Sequence, residues 1–259
     1  MLTVGGLFDT HAHYYDHAFR HDRAEVLSSL PAAGVELVLC PGCDLETSRE
    51  SVALAEAYPH VYAAVGFHPE NLEHAHLSQL EDIRAMAAHP KVKAIGEIGL
   101  DYHWIKDEEG RKKERDFFHA QMELAEELGL PAIVHDREAH GDSLAVVKAH
   151  PKVSGVFHCY SGSLEDAKTL VILGWHLSFT GVLTFKNARK AVEVVEWLPL
   201  DRLMLETDAP YMAPEPFRGK RCDSRHMIRM AQAVAEIKGL PVEEVIRVTT
   251  ENGKRFFGI

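Results

Sequence analysis

The chain has 259 residues, 46% of them hydrophobic, which suits one large domain or two small ones. Its 39 acidic and 28 basic residues give a formal net charge of −11, which argues against a protein that coats duplex nucleic acid, because neutralised phosphates drive such binding. No apolar run approaches the roughly 18 residues of a membrane span, and no basic-then-apolar leader begins the chain, so we expect a cytoplasmic protein without membrane contact.

Short apolar runs alternate with amphipathic helical patterns along the chain. The runs predict eight strands: LFDTHAH, VELVLCPG, VYAAVGFHP, VKAIGEIGLD, PAIVHD, SGVFHCYS, HLSFTGVL and DRLMLETDAP. The fourth helical pattern, ERDFFHAQMELAEELG, repeats apolar residues at helical spacing and ends at Gly129. Eight strand–helix units predict a single TIM (β/α)8 barrel domain of the α/β class over residues 1–259. A doubly wound sheet usually has fewer strands and a glycine-rich first turn.

The number and spacing of the cysteines disfavour structural disulfides and a redox or zinc site. Four are too few for a set of structural disulfides in a chain of this size. Cys40 and Cys43 have the C-x-x-C spacing of redox and zinc sites, but Cys159 and Cys222 are isolated and offer no second pair. A redox pair normally opens a helix, whereas this one ends an apolar run. The sequence therefore disfavours redox or zinc chemistry at this pair.

Metal-ligand side chains stand at the ends of five predicted strands. They are His11 and His13, Glu97, His135, His158 and Asp208, with Glu97 interpreted as the end of the fourth strand. His11 and His13 are two residues apart, so they face the same side of the first strand. Barrel active sites lie at the carboxyl ends of the strands. Taken singly, each residue is explained by a capped turn or a hydrogen-bonded histidine, but their convergence indicates a site for zinc, manganese or magnesium.

His68 in GFHP ends the third apolar run and faces the same rim. A structural role and a contact with a ligand histidine or a substrate phosphate both remain open for it. His103 and His140 follow the ligand strands in loops and also remain open. Most of the other histidines among the 17 lie on predicted helices, loops or strand starts and are interpreted as surface or structural residues.

The motifs then resemble one family nearly end to end, the TatD-type metal-dependent deoxyribonucleases of the amidohydrolase-like superfamily. The resemblance is carried by FDTHAH, GFHPE, GEIGLDYH, VHDREAHGD, FHCYSG, SFTGVLTFKNA and LMLETDAPYMAPEPFRGKR. It implies a TIM barrel with two divalent metal ions. The ligands that it implies are His11, His13, Glu97 and Asp208 for one ion and Glu97, His135 and His158 for the other, with Glu97 as the bridge. Glu206 resembles the position that some members use for a third metal. Cys222 departs from the family, which often has Asn there, in the loop after the eighth predicted strand.

Two divalent ions would clamp the attacking and departing oxygens of a phosphodiester. Asp208 is the predicted catalytic base that orients and deprotonates water, and Glu97 is the predicted bridging catalytic carboxylate. Arg137 and Arg218 are candidates for gripping substrate phosphates, because Arg can donate two parallel hydrogen bonds. Tyr160 is a candidate for stacking on a base, and packing within its own loop is the alternative.

The predicted function is that of a nuclease that removes nucleotides from the 3′ end of single-stranded DNA, as the resemblance implies. Its predicted partners are DNA ends or short oligonucleotides, and no obligate protein partner is evident. The alternative is an amide, lactone or aminoacyl-ester hydrolase of the same superfamily. Many such relatives carry a carboxylated lysine where this chain has Glu97, which favours the nuclease. A metal-binding protein without catalysis is disfavoured because all six ligand positions are filled.

Overall fold

Eight parallel strands, paired in chain order, form the central sheet of the computed structural model, which describes residues 6–259. The prediction that no leader is present falls partly on residues 1–5, outside the described residues. The strands are Leu7–Asp9 (β1), Val35–Pro41 (β2), Val61–Val65 (β3), Val92–Asp101 (β4), Ala132–Arg137 (β5), Gly155–Phe157 (β6), His176–Phe179 (β7) and Leu203–Leu205 (β8).

Helices alternate with these strands within residues 6–259, and two follow the last strand, as predicted. They are Arg23–Ser29 (α1), Leu45–Ala57 (α2), Leu80–Ala87 (α3), Glu108–Leu128 (α4), His140–Ala149 (α5), Leu164–Ile172 (α6), Arg189–Trp197 (α7), Met227–Lys238 (α8) and Val242–Phe257 (α9). The predicted TIM (β/α)8 barrel is confirmed. No helix in the described part of the chain is long and apolar enough to cross a membrane.

The barrel closes where β8 meets β1. The Thr10 amide donates to the Leu205 carbonyl oxygen at 3.2 Å. Next to it, the buried Asp9 carboxylate accepts hydrogen bonds from the Thr207 amide at 2.9 Å and from the Thr207 hydroxyl at 2.6 Å. These bonds tie the segment after β8 to the end of β1. Asp208 is thereby fixed next to the segment that carries the first two predicted ligands.

Apolar side chains fill the barrel interior. They come from seven strands and from the last helix: Phe8, Leu37, Leu39, Ala64, Ala94, Ile133, Val156, Met204 and Phe257. The ring of Phe257 packs against that of Phe8, with centroids 5.8 Å apart. A larger apolar cluster, which includes Phe117 and Met122 of α4, surrounds the strands. Because the interior is packed solid, polar chemistry is confined to the rim.

Strand β4 covers the whole predicted run VKAIGEIGLD, so Glu97 does not stand at its end. Its register against β5 shifts between Ile95 and Ile98, and pairing then continues as far as Asp101. Glu97 therefore lies at an irregularity within β4, and its placement at the strand end was wrong. The continued pairing explains the difference, and Gly99 permits it. Gly99 has a φ of +138°, and a Cβ there would lie 2.0 Å from the His135 carbonyl oxygen.

Several strands end earlier than their apolar runs suggested, among them β1, β7 and β8. β1 ends at Asp9, before His11 and His13, and β8 ends at Leu205, before Asp208. β7 ends at Phe179, because the Thr180 hydroxyl accepts a hydrogen bond from the Val182 amide at 3.3 Å and caps a 3-10 turn. Most of the metal-ligand side chains thus stand on short segments that leave the barrel rim.

Candidate metal centre

The six predicted ligand side chains converge at the carboxyl end of the barrel. Five are buried and the side chain of His135 is 17% exposed. Their ligand atoms form overlapping clusters that include His11, His13 and Glu97, and His11, His158 and Asp208. His68 joins Glu97 and His135 in a further cluster. The search for metal-ligand residues at the ends of the predicted strands therefore selected side chains that do meet in space.

The first group consists of His11, His13, Asp208 and one oxygen of Glu97. His11 Nε2 lies 3.1 Å from His13 Nε2 and 3.2 Å from Glu97 Oε2. Asp208 Oδ1 lies 3.3 Å from His13 Nε2 and 3.8 Å from His11 Nε2. Ligand atoms at about 2.0–2.2 Å from one tetrahedral ion are about 3.4 Å apart. The spacing of these atoms fits one divalent cation.

The second group uses the other oxygen of Glu97. Glu97 Oε1 lies 2.7 Å from His158 Nε2 and 3.1 Å from His135 Nδ1. The two imidazole nitrogens are 3.3 Å apart. Glu97 therefore presents one carboxylate oxygen to each group, which is the arrangement that a bridging carboxylate needs.

Hydrogen bonds on the far side of two histidines leave the inner nitrogen free to bind a metal. His13 Nδ1 lies 2.8 Å from the Tyr15 hydroxyl, which donates to Cys43 Sγ at 3.2 Å. The hydroxyl proton is thus used, so His13 Nδ1–H is the donor and Nε2 keeps its lone pair. His135 Nε2 lies 3.0 Å from Asp101 Oδ2, which leaves its Nδ1 free in the same way. Such outer partners are typical of metal-binding histidines.

Glu206 lies behind His158. Its Oε1 is 3.5 Å from His158 Nδ1 and accepts a hydrogen bond from the Cys159 amide at 2.5 Å. Its Oε2 accepts from the Ser178 hydroxyl at 2.6 Å. The carboxylate is therefore placed to orient His158, and its use for a third metal stays a prediction.

His68 differs from His13 and His135 because its protonated nitrogen is the one that faces the site. Its Nδ1 accepts a hydrogen bond from the Glu70 amide at 3.2 Å, so the neutral ring carries its proton on Nε2. That Nε2 lies 3.3 Å from Glu97 Oε1. Neutral His68 thus presents an N–H group to the site and no lone pair. It suits a hydrogen-bond donor to Glu97 or to a substrate oxygen better than a metal ligand.

Both carboxylates of the site are held in their ionised form. Burial raises the pKa of Glu97, but the neighbouring His158, His68 and His11 outweigh burial and hold it well below its usual value. Burial likewise opposes ionisation of Asp208, and its contact with His13 lowers its pKa. Burial and the neighbouring His158 lower the pKa of His11, which favours its neutral form. Ionised carboxylates and a neutral imidazole are the donor set that zinc and manganese take.

A cavity of about 1030 Å³ opens above the two groups. Arg137 lines it, as do the basic residues Arg189 and Lys190 at the start of α7, which the sequence analysis did not single out. Tyr160 also lines it, but the ring is 6% exposed and its hydroxyl donates to the Ser163 carbonyl oxygen at 2.7 Å. This geometry favours packing within its loop over stacking on a base.

Arg218 lies elsewhere on the rim. Its guanidinium stacks 4.2 Å from the centre of the Phe185 ring and, among the described residues, it does not line the cavity. A contact between Arg218 and substrate stays a prediction.

The four cysteines are free. Burial raises the pKa of the Cys40 thiol to about 12 and also raises that of the Cys43 thiol. A raised pKa disfavours the reactive thiolate, in agreement with the expectation that this pair has no redox role.

Asp101 and Tyr15 were missed by the sequence analysis, although a signal for both was present. Asp101 follows Glu97 by four residues in the same strand run, and Tyr15 follows His13 by two. Side chains two and four residues apart in extended chain share a face. Extending the search along that face beyond each ligand would have found both.

We expect Asp101→Asn to weaken zinc binding by about 10–100-fold, because a neutral amide holds the His135 ring less firmly than a carboxylate. Titration calorimetry of zinc into metal-stripped protein measures this. The control is Glu138→Gln, an exposed rim carboxylate that pairs with His103 at 2.8 Å and contacts none of the six ligands. Equal zinc affinity in Asp101→Asn and wild type would show that His135 needs no such support.

Buried histidines and carboxylates at the rim of a (β/α)8 barrel place the protein among the metal-dependent hydrolases built on this fold. The family described as TatD related DNase matches residues 8–258. The chain belongs to this family, and the resemblance seen in its motifs is confirmed.

The relatives agree with this class. The chain is 42% identical to the uncharacterised metal-dependent hydrolase YabD of Bacillus subtilis strain 168, over 98% of this chain and 99% of YabD. It is 36% identical to the uncharacterised metal-dependent hydrolase YcfH of Escherichia coli K12, over 98% and 96% of the two chains. The crystal structure of YjjV, a TatD homologue from E. coli K12, superposes with a TM-score of 0.91 at 32% identity and covers 99% of both chains.

Proposed function

We propose that the protein is a deoxyribonuclease that removes nucleotides from the 3′ end of single-stranded DNA with the help of two divalent ions. The observation that carries the proposal is the orientation of Glu97, whose two carboxylate oxygens face two separate ligand groups. A paired metal site is suited to phosphodiester hydrolysis, because both the attacking and the departing oxygen need stabilisation. The description of the family as DNase supports the choice of bond.

The residues present fit two ions by donor type and by mutual spacing. His11, His13 and Asp208 would hold one ion and His135 and His158 the other, with Glu97 shared. When bound, such ions act as Lewis acids that polarise the phosphodiester and make water more acidic. The location and partners predicted from the sequence, a cytoplasmic protein without an obligate partner, stay predictions.

The protein side chains then carry the proton and position the substrate. Asp208 is ionised and lies at the mouth of the site, so it accepts the proton of the attacking water. His68 donates its Nε2–H to an oxygen of the scissile phosphate or to Glu97. Arg137, on the cavity wall, pairs with a neighbouring phosphate of the strand.

Removal of the metals is expected to lower hydrolysis by about 100-fold or more, because metal ions contribute several kcal/mol of transition-state stabilisation. The stripped protein is reconstituted in turn with zinc, manganese and magnesium. Each form is assayed on labelled single-stranded and duplex oligonucleotides and on a panel of lactone and aminoacyl esters. Circular dichroism checks that stripping leaves the fold intact.

Stepwise shortening of the single strand from its 3′ end, restored by metal, is the result that supports the proposal. Hydrolysis of an ester or lactone without hydrolysis of any oligonucleotide would replace the nuclease with the alternative function. Metal-independent shortening of the strand would remove the ions from the mechanism.

A further inference from the structure

Two exposed aromatic rings line the cavity. Trp104 is 59% exposed and Tyr211 is 54% exposed. Trp104 follows β4 and Tyr211 follows β8, and these strands are four positions apart in an eight-stranded barrel. The two rings therefore approach the cavity from opposite sides. Trp197, also exposed by more than a third, ends α7 and, within residues 6–259, is not part of the cavity lining.

The backbone amide of each of these two residues is hydrogen-bonded to a residue of the metal centre. Asp101 Oδ1 accepts a hydrogen bond from the Trp104 amide at 3.1 Å, while Oδ2 of the same carboxylate pairs with His135. The Tyr211 amide donates to the Asp208 carbonyl oxygen at 2.8 Å, and its hydroxyl donates to Asp16 Oδ2 at 3.1 Å. The backbone of both residues is thus fixed relative to the ligands, and more than half of each residue's surface is open to solvent.

Three basic side chains of the cavity wall are available for phosphates, and one of them lies near the Trp104 ring. The Arg137 guanidinium lies 5.7 Å from the centre of the Trp104 ring. Arg137, Arg189 and Lys190 line the cavity, and none of them forms an ion pair within residues 6–259. An aromatic face next to an unpaired cation matches a nucleotide, which offers a flat base and a phosphate.

We propose that Trp104 and Tyr211 are stacking platforms for the two unpaired bases on either side of the scissile phosphate. This inference rests on the proposed nuclease function and adds the residues by which the site selects single-stranded DNA. Stacking on a ring is tolerant of sequence, because every base has a π-face. In a duplex both faces of an internal base are covered by its neighbours, so only unpaired strand ends engage the two rings. The site then selects by strand state and not by sequence.

The test compares Trp104→Leu and Tyr211→Leu with the control Trp197→Leu on manganese-reconstituted enzyme. The substrates are short single-stranded oligonucleotides that differ only in an abasic site on the 5′ or the 3′ side of the scissile bond. We expect each cavity variant to raise KM for the intact oligonucleotide by about 10-fold or more. For each variant, this increase should vanish on one of the two abasic substrates, a different one for each ring. Trp197→Leu should leave KM unchanged for the intact oligonucleotide and for both abasic oligonucleotides.

Trp104→Phe and Tyr211→Phe keep a stacking face and should retain a KM close to that of the wild type, which separates stacking from a general loss of structure. Equal increases in KM on intact and abasic substrates would overturn the stacking role while the nuclease stands. An unchanged KM in both leucine variants would overturn it as well. If wild-type enzyme hydrolyses no oligonucleotide, the proposed function itself fails, and this is seen before any variant is compared.

Discussion

Glu97→Gln is expected to reduce the metal content from two ions per chain to at most one and to lower turnover by about 1000-fold. The amide retains one oxygen, whereas both carboxylate oxygens of Glu97 face ligand groups at 2.7–3.2 Å. Loss of about 4 kcal/mol of transition-state stabilisation corresponds to this factor. Elemental analysis of the dialysed protein and turnover of a labelled oligonucleotide measure the two effects.

The matched control for Glu97 is Glu114→Gln. Glu114 is also buried, 1% exposed, but it accepts a hydrogen bond from the Asp101 amide and contacts none of the six ligands. Burial raises its pKa to about 7, so the neutral amide is a close mimic. This variant should keep both ions and most of the activity. Two ions and normal turnover in Glu97→Gln would contradict the bridging role.

Asp208→Asn is expected to lower turnover by about 100–10,000-fold, the range that a general base contributes. Metal content should remain near that of the wild type, because an amide oxygen can still face His11 and His13. Retained metal together with lost turnover separates the proton-accepting role from the ligand role. Near-ultraviolet circular dichroism establishes that the variant is folded.

Asp201→Asn serves as the control for Asp208. Asp201 is exposed, precedes β8 in the 3-10 turn Leu200–Arg202 and does not line the cavity. Its turnover should equal that of the wild type. Near-normal turnover in Asp208→Asn would refute the base assignment and leave Asp208 as a ligand only.

The barrel and the convergence of the ligands were predictable because they follow from local pattern and topology. Alternating apolar runs and helical patterns fix the order of elements, and parallel strands in chain order bring their carboxyl ends to one rim. That rule alone selected His11, His158 and Asp208 from distant parts of the sequence.

What the sequence did not predict depends on tertiary detail. Glu97 lies within β4 because pairing with β5 continues past a register shift, and no local pattern marks such a shift. The proton on His68 Nε2 depends on where the Glu70 amide points. The contact of Arg218 with Phe185 depends on the path of the loop after β8, and its contact with substrate stays a prediction. Loop paths and hydrogen-bond directions require the folded structure.

Electron paramagnetic resonance of the protein loaded with manganese tests the paired site most directly. With two equivalents bound, we predict the multiline spectrum of two exchange-coupled Mn²⁺ ions, because one carboxylate is shared between both ligand groups. Glu97→Gln should abolish this coupling. A six-line spectrum of isolated Mn²⁺ at full loading of the wild-type protein would contradict the account.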